Sequence, residues 1–186
     1  MGKSYQLILI DRDGVINKKA LAHNYIVSWK DFMFLPRVKE AFKLLNKSYY
    51  KIAIVTDQIA IGKGLMSLLD FENISENMLK EIKNAGGRVD KIYFCPHKKE
   101  DCCDCRKPSP KNVLEAIKHF NATPKTTVYL GDFFRDYETA KNAGCDFIWI
   151  NEESDEREKT LKEFRDANVN PKTFKSLYDA ALFLTK

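Results

Sequence analysis

Short apolar runs recur along this chain, and each is followed by a stretch whose apolar residues return every three or four positions. The runs are Leu7–Ile10, Lys51–Thr56, Lys91–Phe94, Thr126–Leu130 and Asp146–Ile150. Continuous apolar runs bounded by turn residues read as strands buried on both faces, as in a parallel sheet. The intervening segments carry helical stripes. Pro36 opens one with Val38, Ala41, Phe42 and Leu45, and Ser75 is read as the cap of another with Met78, Leu79 and Ile82, stopped at Gly86-Gly87. Pro108 and Pro110 precede a third with Val113, Leu114, Ile117 and Phe120, and Tyr137, Ala140 and Ala143 mark a fourth that ends at Gly144. Five alternations predict a Rossmann-like three-layer α/β/α fold, a central parallel sheet with right-handed crossovers. The 186 residues suit a single domain, 1–186, with a minimal cap or none. Asn17–Asp31 reads as a loop, and Ile59–Leu69, interrupted by Gly62 and Gly64, is assigned no course. The charged Glu152–Asp166 is expected to be a solvated helix or loop anchored by Leu161 and Phe164. Phe174 and a helix-like Leu177–Leu184 are expected to complete the domain.

Polar groups gather at the C-terminal ends of these strands, which is where open α/β sheets place their ligands. The first strand runs into Asp11 and Asp13, and residues at i and i+2 of an extended segment project to one side. The second ends in Thr56-Asp57-Gln58, the fourth in Gly131-Asp132, and Lys107 lies just before a helix start. Phosphoryl transfer needs such groups. One carboxylate attacks phosphorus and another moves the proton, while a hydroxyl and a lysine hold the transferring oxygens. A hard cation takes carboxylate oxygens and offsets the charge gathered there.

The remaining composition limits the alternatives. Net charge is +5 with lysine spread along the chain, which fits an anionic substrate, and no aromatic-plus-basic motif points to nucleic acid. No apolar run approaches the ~20 residues that span a bilayer, and the start MGKSYQLILIDRD meets charge too soon for a signal peptide. A cytoplasmic protein is the expectation. Of the five cysteines, four fall between Cys95 and Cys105, too clustered for a disulfide framework. Cys95-Pro96-His97 and Cys103-Asp104-Cys105 supply four ligands for a closed, structural zinc site that pins a short loop two residues ahead of Lys107. Cys102 could replace Cys103 on spacing alone. His23 and His119 show no partner pattern.

DRDGVIN, VTDQ, RKP and GDFFRD, in that order over Leu7–Ile150, resemble the four motifs of the haloacid dehalogenase-like phosphatases. The resemblance implies Asp11 as nucleophile, Asp13 as general acid/base, and Thr56 and Lys107 as stabilisers of the phosphoryl group. It implies Mg²⁺ on Asp11, the backbone carbonyl of Asp13, and Asp132, with Asp136 supporting the site from one helical turn further on. Arg12, Tyr25, Asp57, Gln58, Arg106 and Lys107 are the expected substrate contacts. CPH followed by CDCRKP resembles the zinc-bearing branch of heptose-bisphosphate and histidinol-phosphate phosphatases, and it favours Cys103 over Cys102. The short gap between His97 and Cys103 is nearer the histidinol type. DRDGVIN, Tyr25-Ile26, FMFLP and the run Thr56–Gly64 favour a heptose 1,7-bisphosphate, a small phosphorylated metabolite handled by a monomer.

The chain also departs from the family. Asp57 stands where Asn is usual and should repel phosphate unless it points away or is offset by Lys63 or Arg106. Lys63 replaces an Arg, and Phe133 stands where a basic residue commonly follows Asp132, with Arg135 as the available substitute. Asp57 motivates a second class of function, a phosphosugar-binding protein without turnover. A nucleic-acid-end phosphatase is a third.

Overall fold

The computed structural model describes residues 4–20, 24–151 and 156–186, so His23 and the first residues of the charged 152–166 segment lie outside the described residues. Six strands form one parallel sheet in the order β3-β2-β1-β4-β5-β6. They are β1 (Leu7–Ile10), β2 (Lys51–Asp57), β3 (Lys91–Cys95), β4 (Thr127–Gly131), β5 (Asp146–Ile150) and β6 (Lys172–Phe174). The helices are α1 (Val38–Leu45), α2 (Ile59–Gly62), α3 (Leu68–Asn84), α4 (Lys111–His119), α5 (Phe134–Ala143), α6 (Arg157–Asp166) and α7 (Leu177–Leu184).

The strands alternate their side chains between two apolar layers. Ile8, Ile10, Ile52, Ile54, Val128 and Leu130 face one layer, which α1, α3 and α7 complete with Phe42, Ile74, Met78 and Leu177. Leu7, Leu9, Ala53, Val55 and Tyr129 face the other, closed by Val113 and Ala116 of α4 and Ala140 of α5. Burial on both faces is why these strands read as unbroken apolar runs. The chain leaves β1 for β2 on one side and later returns to β4 on the other, so the order reverses between β1 and β4. Ligands of open α/β sheets bind at such a switch point.

Several expectations are corrected. Ser75 caps nothing; it is buried within α3, and the N-cap is Ser67, whose Oγ accepts from Asp70 N while Asp70 reaches back to Ser67 N. Ser67 lies in the glycine-interrupted stretch that carried no helical stripe, and the capping box there starts the helix. Leu114 points to solvent at 43% exposure, and Ala116 takes its place in the core. The fourth strand starts at Thr127, because Thr126 closes a short 3-10 turn from Pro124. A sixth strand, β6, pairs with β5 where only Phe174 had been singled out. Phe164 anchors α6 as expected, while Leu161 is only partly covered.

Candidate active site

β1 delivers Asp11 and Asp13 to the switch point, and the next residues fold back over them. Ile16 N and Asn17 N both donate to Arg12 O, and Asn17 bridges to Phe34. Gly14 has φ +91°, and a Cβ there would stand 2.2 Å from Asp132 Oδ2, so only glycine lets this turn pass the carboxylate. Gly131 is required for a similar reason: its Cβ would meet Asp136 Cβ at 2.4 Å.

Lys107 is the buried hub. Its Nζ lies 2.8 Å from Asp11 Oδ1 and 2.8 Å from Asp136 Oδ1. Asp136, at the first turn of α5, also accepts from Phe133 N at 3.0 Å, from Asp132 N at 3.2 Å and from the Tyr129 hydroxyl at 3.4 Å. Burial works against its charge, yet Lys107 and Arg135 hold it below the usual carboxylate range. The Lys107 ammonium is likewise disfavoured by burial, and Asp11 and Asp136 push it well above its ordinary value.

Asp11, Asp132 and Asp136 bring carboxylate oxygens within 4.8 Å of one another. Burial pushes Asp11 up to about 7, Lys107 opposing and Asp136 and Asp132 adding repulsion. Burial pushes Asp132 up to about 6, Lys19 opposing and Asp136 adding repulsion. Asp132 Oδ1 is buried without a hydrogen-bond partner, while Oδ2 meets Lys19 Nζ at 2.5 Å. An orphaned carboxylate oxygen among crowded carboxylates is what a hard, oxygen-seeking cation requires. The oxygens of Asp136 are committed to Lys107, the backbone and Tyr129.

Asp13 is gripped from three sides. Arg12 is 2% exposed and forks onto it, Nη2 lying 3.0 Å from each carboxylate oxygen. Asn17 Nδ2 donates to Oδ1 at 2.8 Å and Gln58 Nε2 to Oδ2 at 3.0 Å. Burial disfavours its charge, but the Arg12 guanidinium and these hydrogen bonds hold it below the usual range. Gln58 Nε2 also donates to Thr56 Oγ1 at 2.9 Å.

Asp11, Asp13, Thr56 and Lys107 line a cavity of about 240 Å³ that also takes in Lys19, Tyr25, Asp57, Phe133 and Arg135. Among the substrate contacts named from sequence, Arg12 and Gln58 line it but turn donors onto Asp13, and Gln58 donates to Thr56 as well. Tyr25 stands at the rim, its hydroxyl 2.8 Å from Lys63 Nζ. Asp57 is offset, though not by Lys63: Arg106 Nη1 approaches Oδ2 at 3.8 Å, and Lys107 N donates to Oδ1 at 3.4 Å. Arg135 reaches the same cavity beneath Phe133, its guanidinium 4.9 Å from that ring. Lys19 and Asn17 carried no sequence assignment. Asn17 closes the opening motif one turn after Asp13, a spacing that could have found it. Lys19 is brought to Asp132 by the fold alone.

At the end of β3, Cys95 Sγ lies 3.5 Å from Cys103 Sγ, and Cys105 Sγ lies 3.6 Å from Cys103 Sγ and 3.2 Å from His97 Nδ1. The four donor atoms stand within 4.8 Å of one another. Donors around a tetrahedral zinc with bonds of about 2.0–2.3 Å are separated by roughly 3.5–3.8 Å, so the cluster fits zinc. The third sulfur is that of Cys103. Cys102 is exposed, in a left-handed conformation at the end of a 3-10 turn.

The family model for haloacid dehalogenase-like hydrolases matches residues 5–150. A D-glycero-alpha-D-manno-heptose-1,7-bisphosphate 7-phosphatase of Mycobacterium tuberculosis is 35% identical over 139 residues, 74% of this chain and 73% of that protein. The enzyme of the same name from Campylobacter jejuni is 33% identical over 162 residues, 84% of this chain and 91% of that one. A D-glycero-beta-D-manno-heptose-1,7-bisphosphate 7-phosphatase of Pasteurella multocida is 37% identical over 142 residues, 73% of this chain and 76% of its own. In three dimensions, the D,D-heptose 1,7-bisphosphate phosphatase of B. bronchiseptica, solved with magnesium and phosphate, superposes with a TM-score of 0.87 at 27% identity, covering 96% of this chain and 97% of that one. The chain is a phosphatase that belongs to the haloacid dehalogenase-like hydrolases.

Proposed function

We propose that this protein removes the 7-phosphate of a D-glycero-D-manno-heptose 1,7-bisphosphate by way of an aspartyl phosphate on Asp11. The observation that carries the chemistry is the Lys107 ammonium, 2.8 Å from both Asp11 and Asp136 at the sheet's switch point. A buried lysine there holds the nucleophile in place and presents positive charge to the arriving phosphoryl group. The substrate comes from the relatives, which carry that name at 33–37% identity.

An Asp11 carboxylate oxygen attacks phosphorus, the ester P–O bond breaks, and the departing alkoxide takes a proton from Asp13. Asp13 then takes a proton from water as the water oxygen attacks phosphorus, releasing phosphate and restoring the Asp11 carboxylate. Thr56 and Lys107 donate to the phosphoryl oxygens throughout. Asp11, the Asp13 carbonyl and Asp132 would hold Mg²⁺, with Asp136 fixing Lys107 behind them; the ion supplies charge neutralisation for the phosphoryl oxygens. Cys95, His97, Cys103 and Cys105 would hold a structural zinc, which supplies the crosslink for the loop ahead of Lys107. Tyr25, Arg106 and Arg135 would meet the sugar and its second phosphate, with Asp57 neutralised by Arg106 and with Arg12 and Gln58 behind Asp13. A cytoplasmic monomer of one domain, acting on a diffusible metabolite and not on nucleic acid, fits this reading, because zinc thiolates persist in a reducing compartment.

The test is phosphate release, with Mg²⁺, from the two anomers of the heptose bisphosphate, histidinol phosphate and phosphorylated DNA ends. Preference for a heptose bisphosphate, abolished in Asp11→Asn, supports the proposal. Equally poor turnover of all of them would overturn the substrate. Tight phosphosugar binding without any turnover would favour the binding protein.

A further inference from the structure

Gln58 follows the motif-two threonine, is 4% exposed, and is the only described side chain that bonds both to Thr56 and to Asp13. Its Nε2 carries two hydrogens, and the structure gives each an acceptor: Thr56 Oγ1 at 2.9 Å and Asp13 Oδ2 at 3.0 Å. A hydroxyl that accepts from an amide keeps its own hydrogen free. At the other end, Asp13 Oδ1 is filled by Arg12 and Asn17, whereas Oδ2 takes its donors from Arg12 and Gln58. Gln58 is the only uncharged donor on Oδ2, so it is the weaker of the two ties on that oxygen.

We propose that Gln58 is a positioning residue: braced on Thr56, its amide holds the Asp13 carboxylate at the leaving-group oxygen. The proposal rests on the phosphatase reading above. It separates Gln58 from the substrate contacts, since its donors are spent inside the protein. It also separates it from Arg12 and Asn17, whose donors reach Asp13 but not Thr56.

Leaving-group chemistry tests this. An alkyl phosphate ester needs a proton from Asp13 as its alkoxide departs, whereas p-nitrophenyl phosphate leaves as a stable phenolate without one. Gln58→Met keeps length and bulk and removes both donors; Gln58→Glu keeps the shape and sets a carboxylate against Asp13. Loss of position at a general acid costs roughly ten- to a hundredfold in kcat. Both variants are expected to show a loss of that size in kcat/KM on the sugar phosphate, which reads only the steps up to departure of the alcohol, and a much smaller loss in kcat/KM on p-nitrophenyl phosphate; the later attack of water, which also uses Asp13, is common to both. In an Asp13→Asn background, Gln58→Met should cost alkyl-ester turnover little more. Thermal unfolding of each variant establishes that it is folded. Equal loss of kcat/KM on both esters, or full additivity with Asp13→Asn, would each overturn the inference. A wild-type protein that hydrolyses neither ester would instead overturn the phosphatase reading on which it stands.

Discussion

Lys107 neutralises two buried carboxylates at once, and removing it leaves both without their cation. Truncating one partner of a buried ion pair costs about 3–5 kcal/mol. Lys107→Met is expected to lose stability on that scale in urea unfolding and to lose phosphate turnover as well. A variant as stable as the wild type would show that Asp11 and Asp136 share their charge in some other way. Gly14 is constrained twice, by its positive φ and by the 2.2 Å approach a Cβ would make to Asp132. Gly14→Ala therefore has to push Asp132 away from Asp11, and it should lower turnover and Mg²⁺-induced thermal stabilisation together. A Gly14→Ala protein with wild-type Mg²⁺ response would sink that account. At this scale the sequence displayed the carboxylates that gather at the switch point, because short-range spacing puts Asp11 beside Asp13 and Asp132 one turn from Asp136. It did not display how they are held. Gln58 on Asp13 and Lys19 on Asp132 are contacts between distant segments, and no local pattern announces them.

Elements were legible where burial is two-sided or where a helix has one clean apolar stripe. β1 is apolar throughout and β2 and β4 are apolar through their centres because both faces are covered, and α1 shows Val38, Ala41, Phe42 and Leu45 at helical spacing. β6 was hidden because it is three residues long, at the sheet edge, with Lys172 and Thr173 exposed. The start of α3 was hidden for another reason: its cap lies outside the apolar stripe, and the first turn is exposed at Leu68 and Leu69. Hydrogen bonding, not hydrophobicity, sets that boundary. Ser67→Ala removes the acceptor for Asp70 N and should cost about 1 kcal/mol in equilibrium unfolding, a typical value for a lost N-cap. It should leave kcat unchanged, since α3 packs on the far side of the layer from Lys107. Unaltered unfolding would show that Asp70 on the Ser67 backbone suffices.

Across the whole molecule, two distant connections converge on one point. The sheet order brings the ends of β1, β2 and β4 together, while the loop after β3 must travel back from the sheet edge to place Lys107 among them. That loop has little core of its own: between Cys95 and Lys107 only those two residues are buried. A segment so poor in apolar burial cannot offset its own ordering entropy, so the proposed zinc is the natural source of its rigidity. Stripping zinc with a chelator, or replacing Cys105 with Ser, is therefore expected to spare most of the far-ultraviolet circular dichroism, because the sheet layers do not include the loop. Phosphate turnover should fall, since Lys107 would no longer be held on Asp11. Melting temperature should fall too, by about 2–4 °C for each kcal/mol lost in a chain of this size. Zinc content, melting temperature and kcat measured on one preparation decide the matter. A zinc-free protein with full kcat would mean that Lys107 is fixed by its ion pairs with Asp11 and Asp136 alone, leaving the cysteine cluster with no part in the chemistry.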